Sequence, residues 1–218
     1  MGAAAAVEHS NFLKASCYRT VLDAGANKGQ FALAVRHNLP DARIVAFEPL
    51  AKPSKILRRV FYADPMLTLF PIALGASSGE FDLHISKRED SSSLLPIGRL
   101  QQQIFPGTRE VGTQRVRVDR LDSIITPKEL DRPLLLKIDV QGYELALLTG
   151  AEGLLSDVDG IYVELSFVQL YDSQPLAFEI VEWLAKRCFR LEGVYNVTTG
   201  PDGTAVQADF FFRRTESS

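Results

Sequence analysis

The chain has 218 residues, 46% hydrophobic and 23% charged, enough apolar material for the core of one α/β domain, and its net charge of −3 excludes the basic footprint of a nucleic-acid binder. Two cysteines, Cys17 and Cys188, stand in no C-x-x-C pattern, which argues against a disulfide framework or a cysteine-rich zinc site and for a reducing cytoplasm. No run reaches the ~18 apolar residues of a membrane span, and residues 3–7 are too short for a signal segment, so 1–19 read as a short N-terminal extension.

In chain order, strand-like and helix-like runs alternate, which predicts a mostly parallel sheet covered on both faces. Residues 20–23 (TVLD) form a strand ending in an acid, followed at once by a Gly-containing turn at 24–29. Residues 31–38 (FALAVRHN) read as a helix closed by Pro40. A second strand, 43–48 (RIVAFE), also ends in an acid, and 53–62 form a helix with Ile56, Leu57, Val60 and Phe61 on one side. The run 67–74 (LTLFPIAL) is a third strand weakened by Pro71, expected to make a hairpin with the alternating 81–86 (FDLHIS). Residues 87–113 carry Ser91, Ser92, Ser93, Pro96 and Pro106 around a short helix at 100–104; a connection this long is expected to serve as a lid or acceptor wall. Residues 114–118 alternate, and 134–140 (LLLKIDV) are the most strand-like run and the expected centre of the sheet. A helix at 144–155, a strand at 160–165 (GIYVEL) and a helix at 176–186 follow. The tail, 190–195 and 206–213 around the turn at 199–203, is an antiparallel hairpin.

Two segments carry chemistry. The first is Asp23-Ala24-Gly25-Ala26-Asn27-Lys28-Gly29, between strand and helix. Glycines there let the backbone approach a ligand, and the following helix offers unpaired N–H groups. The pyrophosphate-binding pattern needs glycine where Asp23 stands. A carboxylate suits a cationic ligand instead, such as S-adenosylmethionine, which has a sulfonium, an ammonium and no phosphate. Glu48, at the end of the second strand and before Pro49, stands where βαβ units accept ribose hydroxyls. Ala73 and Leu74 lie where such folds wrap an adenine, with a plain turn as the simpler reading.

The second segment is Lys137-Ile138-Asp139-Val140-Gln141-Gly142-Tyr143-Glu144. An acid at the carboxyl end of the central strand lies in the crevice where open α/β sheets bind ligands. Asp139 is expected to bond the cofactor's amino-acid portion or to orient an acceptor. Glu144, also favoured by the helix dipole, and Glu164, at the end of 160–165, are expected to join it in an acidic cluster able to act as general base. Lys137 reads as a strand residue pairing locally. His9, His37 and His84 show no ligand spacing and no metal is expected; His84 is an outlying candidate base.

With these residues in hand, the chain resembles the FkbM family of methyltransferases. The segments that carry the resemblance are VLDAGANKGQF (21–31), AFEP (46–49), PIALGASSGEFDLHIS (71–86), SSSL (91–94), VRVDRLDSII (116–125), LLKIDVQGYELALLTGAE (135–152) and YVEL (162–165), in the family's order. Gln141 stands where the more common family form has Glu. The resemblance implies a Rossmann-like class I methyltransferase fold: a mostly parallel seven-stranded sheet with an antiparallel C-terminal hairpin and helices on both faces. It implies S-adenosylmethionine as donor and O-methylation of a sugar, glycolipid or natural-product hydroxyl. By matching positions, Asp23, Gly25, Asn27, Gly29, Glu48 and Asp139 line the cofactor site, with Pro49, Ala73 and Leu74 beside them and Ser92 near donor or acceptor. The domain runs from 20 to 218, leaving little room for an N-terminal substrate cap.

The chemistry so implied is in-line attack of an acceptor hydroxyl on the sulfonium methyl. Positioning alone supplies up to ~7–11 kcal/mol of such a barrier, and Asp139, Glu144 and Glu164, in that order, are the candidate bases. A nicotinamide-dependent oxidoreductase and a non-catalytic binding module are the rivals, since fold alone does not decide function. Oligomeric state is not readable from this sequence.

Overall fold

In the computed structural model, which describes residues 3–215, the chain runs α1 (Ser10–Lys14), β1 (Thr20–Ala24), α2 (Gln30–Asn38), β2 (Arg43–Phe47), α3 (Ala51–Val60), β3 (Leu67–Phe70), β4 (Ala73–Leu74) and β5 (Gly79–Ser86). It continues α4 (Arg99–Ile104), β6 (Glu110–Asp119), α5 (Leu121–Ile124), β7 (Leu134–Ile138), α6 (Glu144–Gly150), β8 (Gly160–Ser166), α7 (Ala177–Ala185), β9 (Phe189–Thr199) and β10 (Ala205–Arg214). The large sheet has the order β3-β2-β1-β7-β8-β10-β9, parallel except for β10, which runs against both neighbours. This is the Rossmann-like class I arrangement, with β7 central as its apolar run predicts.

Period-two alternation splits the strands between two cores. Leu22 and Ala24 of β1 and Leu134, Leu136 and Ile138 of β7 join Leu147, Ile180 and Leu184 from α6 and α7. Val21 and Leu135 point the other way, to Phe12, Phe31, Val35 and Leu57 from α1, α2 and α3. Leu22, Leu135 and Leu136 are completely enclosed, and each such side chain contributes ~1.5–3 kcal/mol. Asp23 and Lys137 pair in register across β1 and β7, and Lys137 pairs with Tyr162 across β7 and β8. One row of side chains on the α1–α3 face therefore reads Asp23, Lys137, Tyr162.

Three expectations are corrected. The run 67–74 is split at Pro71, which has no N–H for a continuing ladder. β4 leaves the large sheet and lies parallel to β6. The hairpin expected between 67–74 and 81–86 does not form; β5 pairs instead with β6, which is longer than its alternating centre. The helix expected over 144–155 ends at Gly150 and passes into a 3-10 turn, Glu152–Asp157. Residues 87–113 hold a 3-10 turn (Glu89–Ser91) and α4, and are tied to the body by bridges His84–Ser93 and Ile97–Tyr171. No helix among the described residues is long and apolar enough to cross a membrane.

Candidate active site

A cavity of about 350 Å³ opens at the carboxyl ends of β1, β2 and β7, where the chain reverses its direction of travel across the sheet. Of the residues singled out in the sequence, Gly25, Asn27, Glu48, Pro49, Ala73, Leu74, Ser92 and Asp139 are on its walls. The turn after β1 is packed hard against the end of β7. Gly25 has φ +77°, and a Cβ there would lie 1.8 Å from the carbonyl oxygen of Asp139. The Asn27 N–H donates to Glu48 Oε2 at 2.9 Å, and the Leu50 N–H donates to Oε1 at 2.8 Å. Burial nonetheless pushes the Glu48 carboxyl up to about 7, against those two hydrogen bonds. Asn27 Oδ1, also buried, receives no hydrogen bond. The Ser92 hydroxyl accepts the Ser86 N–H at 3.1 Å.

Asp23 and Gly29 lie behind the wall. The Asp23 carboxylate is wholly enclosed and sits 3.1 Å from Lys137 Nζ. The cation it suits is therefore a side chain of this protein, not a ligand, and Lys137 pairs far more deeply than a locally paired strand residue. That ammonium also donates to the Gly25 carbonyl at 3.3 Å and lies 3.8 Å from Asp139 Oδ2. Burial opposes its charge, but Asp23 and Asp139 outweigh burial and hold its pKa above the ordinary lysine value. Gly29 has φ +90° at the start of α2 and packs on Leu57 of α3 and on Phe61 just past its end. It is a packing residue.

The three candidate bases are neighbours, but only Asp139 lines the cavity. Gln141, with φ 55°, holds the group together. Its Nε2 donates to Asp139 Oδ1 at 2.7 Å and to Glu164 Oε2 at 3.1 Å. Glu164 Oε1 accepts from Gln207 Nε2 at 2.7 Å. Burial, reinforced by Asp139, Asp209 and Glu144, drives the Glu164 carboxyl well above the usual range. Glu144 is buried and accepts the Gly142 N–H at 2.8 Å; burial pushes it up to about 7. His84 bonds Glu110 Oε2 at 3.0 Å, outside the cavity.

Sequence reasoning missed the N-terminal contribution. Residues 4–6, Glu8 and His9 line the cavity, anchored by the Ala6 N–H to the Gln30 carbonyl at 3.1 Å. The expectation of little room for an N-terminal cap is corrected accordingly. His9, just past the alanines at 3–6, stands in a short stretch with no periodic signal that would have placed it there. Phe31, Tyr143 and Lys137 are further wall residues not singled out for the site.

The walls carry Glu8, Glu48, Glu89, Asp90 and Asp139 and one cation, Lys137; Lys137 is matched by Asp23, while Glu89 and Asp90 are paired with Lys52 and Arg88 off the wall. That excess of acid repels a pyrophosphate and suits a cation. Along the chain, the model of the methyltransferase FkbM domain matches residues 23–191. The chain belongs to the FkbM methyltransferase family. Among similar proteins, the AMB antimetabolite synthetase AmbE of Pseudomonas aeruginosa is 32% identical over 162 residues, 61% of this chain and 8% of that protein. The 2-O-methyltransferase NoeI of Sinorhizobium fredii is 28% identical over 160 residues, 71% of this chain and 66% of that one. The chain thus spans less than two thirds to a small fraction of these proteins' length: 66% and 8%. The crystal structure of magnesium protoporphyrin IX methyltransferase from Synechocystis PCC 6803 shares the fold at TM-score 0.50 and 12% identity, covering 96% of this chain and 81% of that one.

The methyl donor of FkbM methyltransferases is S-adenosylmethionine. Two features of this chain fit it: the acid excess of the walls, and the buried amide oxygen of the wall residue Asn27, left without a hydrogen bond and able to accept from a ligand with N–H groups to donate.

Proposed function

We propose that this protein transfers the methyl group of S-adenosylmethionine to a hydroxyl oxygen of a sugar, glycolipid or natural-product acceptor. The observation that carries the reading is the acid-walled cavity at the carboxyl ends of β1, β2 and β7 in a chain of the FkbM family. Oxygen as the receiving atom is supported by the likeness to a 2-O-methyltransferase. The reading takes residues 20–218 as one methyltransferase domain, 1–19 as an extension that reaches the site, and the cytoplasm as the workplace.

When bound, the donor supplies a methyl carbon made electrophilic by the adjoining sulfonium. The rest is done by the chain. Glu48, ionised, accepts the ribose hydroxyls. The Asn27 amide oxygen and Asp139 receive the ammonium, while Lys137 and Asp23 brace the turn at Gly25 from behind. Ala73 and Leu74 form an apolar wall for the adenine. Ser92, with Glu89, Asp90, Ser93 and Leu94, borders the side from which an acceptor enters. An acceptor seated there beside the donor is held by positioning, which supplies up to ~7–11 kcal/mol of the barrier.

Calorimetric titration with S-adenosylmethionine, S-adenosylhomocysteine and NAD tests the donor, with Glu48→Ala as control. Selective binding of the first two, weakened in the variant, is expected; binding of NAD alone would overturn the reading. Transfer of a labelled methyl group to a panel of mono- and oligosaccharides, with amines and thiols as controls, then tests the receiving atom.

A further inference from the structure

His9 is the one imidazole on the cavity wall among the described residues, and nothing in the sequence motifs accounts for it. Its ring is fixed on two sides, edge-on to Phe31 with centroids 5.1 Å apart and edge-on to Tyr162 at 5.5 Å. Its Nδ1 lies 3.1 Å from the Tyr162 hydroxyl and 3.5 Å from Asp209 Oδ2. The Tyr162 hydroxyl donates to Asp209 Oδ2 at 3.1 Å, and Asn196 Nδ2 donates to the same oxygen at 2.7 Å. A tyrosine has one hydroxyl proton. Asn196 Nδ2 also lies 3.4 Å from Nδ1, but its 2.7 Å bond to Asp209 is much the shorter; with the amide and the phenol proton both directed to Asp209, the phenol oxygen accepts, Nδ1 carries the imidazole proton and Nε2 keeps its lone pair. This is the logic by which a buried carboxylate fixes a histidine tautomer in hydrolase triads.

The carboxylates are poor alternatives. Both oxygens of Glu164 are engaged by glutamine amides, and Glu144 is sealed behind the turn at Gly142. Asp139 has one oxygen on Gln141 and the other beside Lys137. Glu48 is committed to two backbone N–H groups, Glu89 to Lys52 and Asp90 to Arg88. At Nε2 of His9 the nearest charged partner is Glu8 Oε1, at 3.9 Å.

We propose that His9 is the general base that removes the proton of the acceptor hydroxyl, with Tyr162 and Asp209 as the residues that position it. This rests on the reading of the site as an O-methyltransferase. The hydroxyl proton passes to His9 Nε2 while the oxygen's electron pair bonds the methyl carbon and the carbon–sulfur pair returns to sulfur. Asp209 then faces the imidazolium through Nδ1. Burial, the first influence on the ring, holds its pKa below the ordinary 6.5, with Lys137 acting the same way and Asp209, Glu8 and Asp139 acting against it. The base is thus neutral and ready at neutral pH, and kcat/KM should rise with pH through a midpoint below the ordinary imidazole value and level off.

The test needs no acceptor for its first part. Protein labelled with ¹⁵N-histidine and saturated with S-adenosylhomocysteine is titrated by NMR, with the His9 signals identified by their loss in His9→Gln. The expected result is an Nδ1–H tautomer with a pKa below 6.5 that falls further in Asp209→Asn. An Nε2–H tautomer, or a titration indifferent to Asp209→Asn, would overturn the assignment. In transfer to the saccharide panel, His9→Gln should lose ~10²–10⁴-fold in kcat, keep its affinity for S-adenosylhomocysteine, and be partly rescued by added imidazole. A kcat within a few-fold of wild type refutes the role. A wild type that methylates no saccharide speaks against the acceptor class, while the tautomer and titration still judge His9.

Discussion

Replacing Lys137 by Met tests how the centre of the sheet is held. The substitution keeps the long apolar stem and removes only the ammonium. Its size follows from exposure. An ion pair in water is worth ~0–1 kcal/mol, but here the Lys137 side chain is 7% exposed and that of Asp23 is 0% exposed, 3.1 Å apart. Lys137 is the sole cationic partner of Asp23 among the described residues. Breaking a buried pair from one side costs ~3–5 kcal/mol, because the remaining charge stays desolvated. For a chain of this size each kcal/mol shifts Tm by ~2–4 °C, so Lys137→Met should lower Tm by roughly 6–20 °C. Urea unfolding followed through Trp183 fluorescence gives the free energy directly. The double variant Asp23→Asn with Lys137→Met should recover most of the loss, with a coupling of ~2 kcal/mol or more. A single variant within ~1 kcal/mol of wild type, or purely additive effects in the pair, would refute the reasoning.

Other outcomes follow from the same geometry. Gly25→Ala forces a φ > 0 residue, costing ~1–2 kcal/mol, and drives a methyl group into the Asp139 carbonyl; calorimetry should show binding of S-adenosylhomocysteine weakened by more than ~100-fold, a loss of ~2.7 kcal/mol. Glu48 sits near 7 in the fold against an ordinary 4.5, so its proton binds more tightly folded than unfolded. Its contribution to stability is complete below 4.5 and is lost as pH rises through 7; Glu48→Gln should flatten that fall in pH-dependent urea midpoints. Ribose hydroxyls need the ionised carboxylate, so affinity for S-adenosylhomocysteine should rise from pH 6 to 8 in wild type and not in Glu48→Gln. The buried Tyr171 hydroxyl lies 2.7 Å from Gln141 Oε1 and 3.1 Å from the Ser91 carbonyl; Tyr171→Phe should cost ~1–3 kcal/mol and speed amide exchange in residues 87–98 before that in β1.

Much of the molecule was legible in short stretches of sequence. The runs that became β1, β2, β7 and β8 were readable because a strand buried on both faces must be apolar along its length. Gly25, Glu48 and Asp139 were readable because turn chemistry and strand-end acids are local, and all three are on the cavity wall. The C-terminal hairpin was readable from its turn. Pro71 flagged a weakness in its strand, but nothing in that segment said that the residues beyond it would join β6 in a second sheet.

Glu144 and Glu164 show the limit from the other side. Their position at a helix start and a strand end was correctly read, yet whether such a carboxylate meets solvent, a ligand or a glutamine amide depends on what packs over it. The same holds for Asp23, read as a ligand contact and found against Lys137. Strand runs, turns and the acids that end them are set by neighbours along the chain, so local sequence was enough to place them and to identify the family. The Asp23–Lys137–Tyr162 row, the hold of Gln141 on two carboxylates and the seat of His9 on the cavity arise only when distant segments lie in register, because charge pairing and burial depend on distance in space, which no local periodicity encodes.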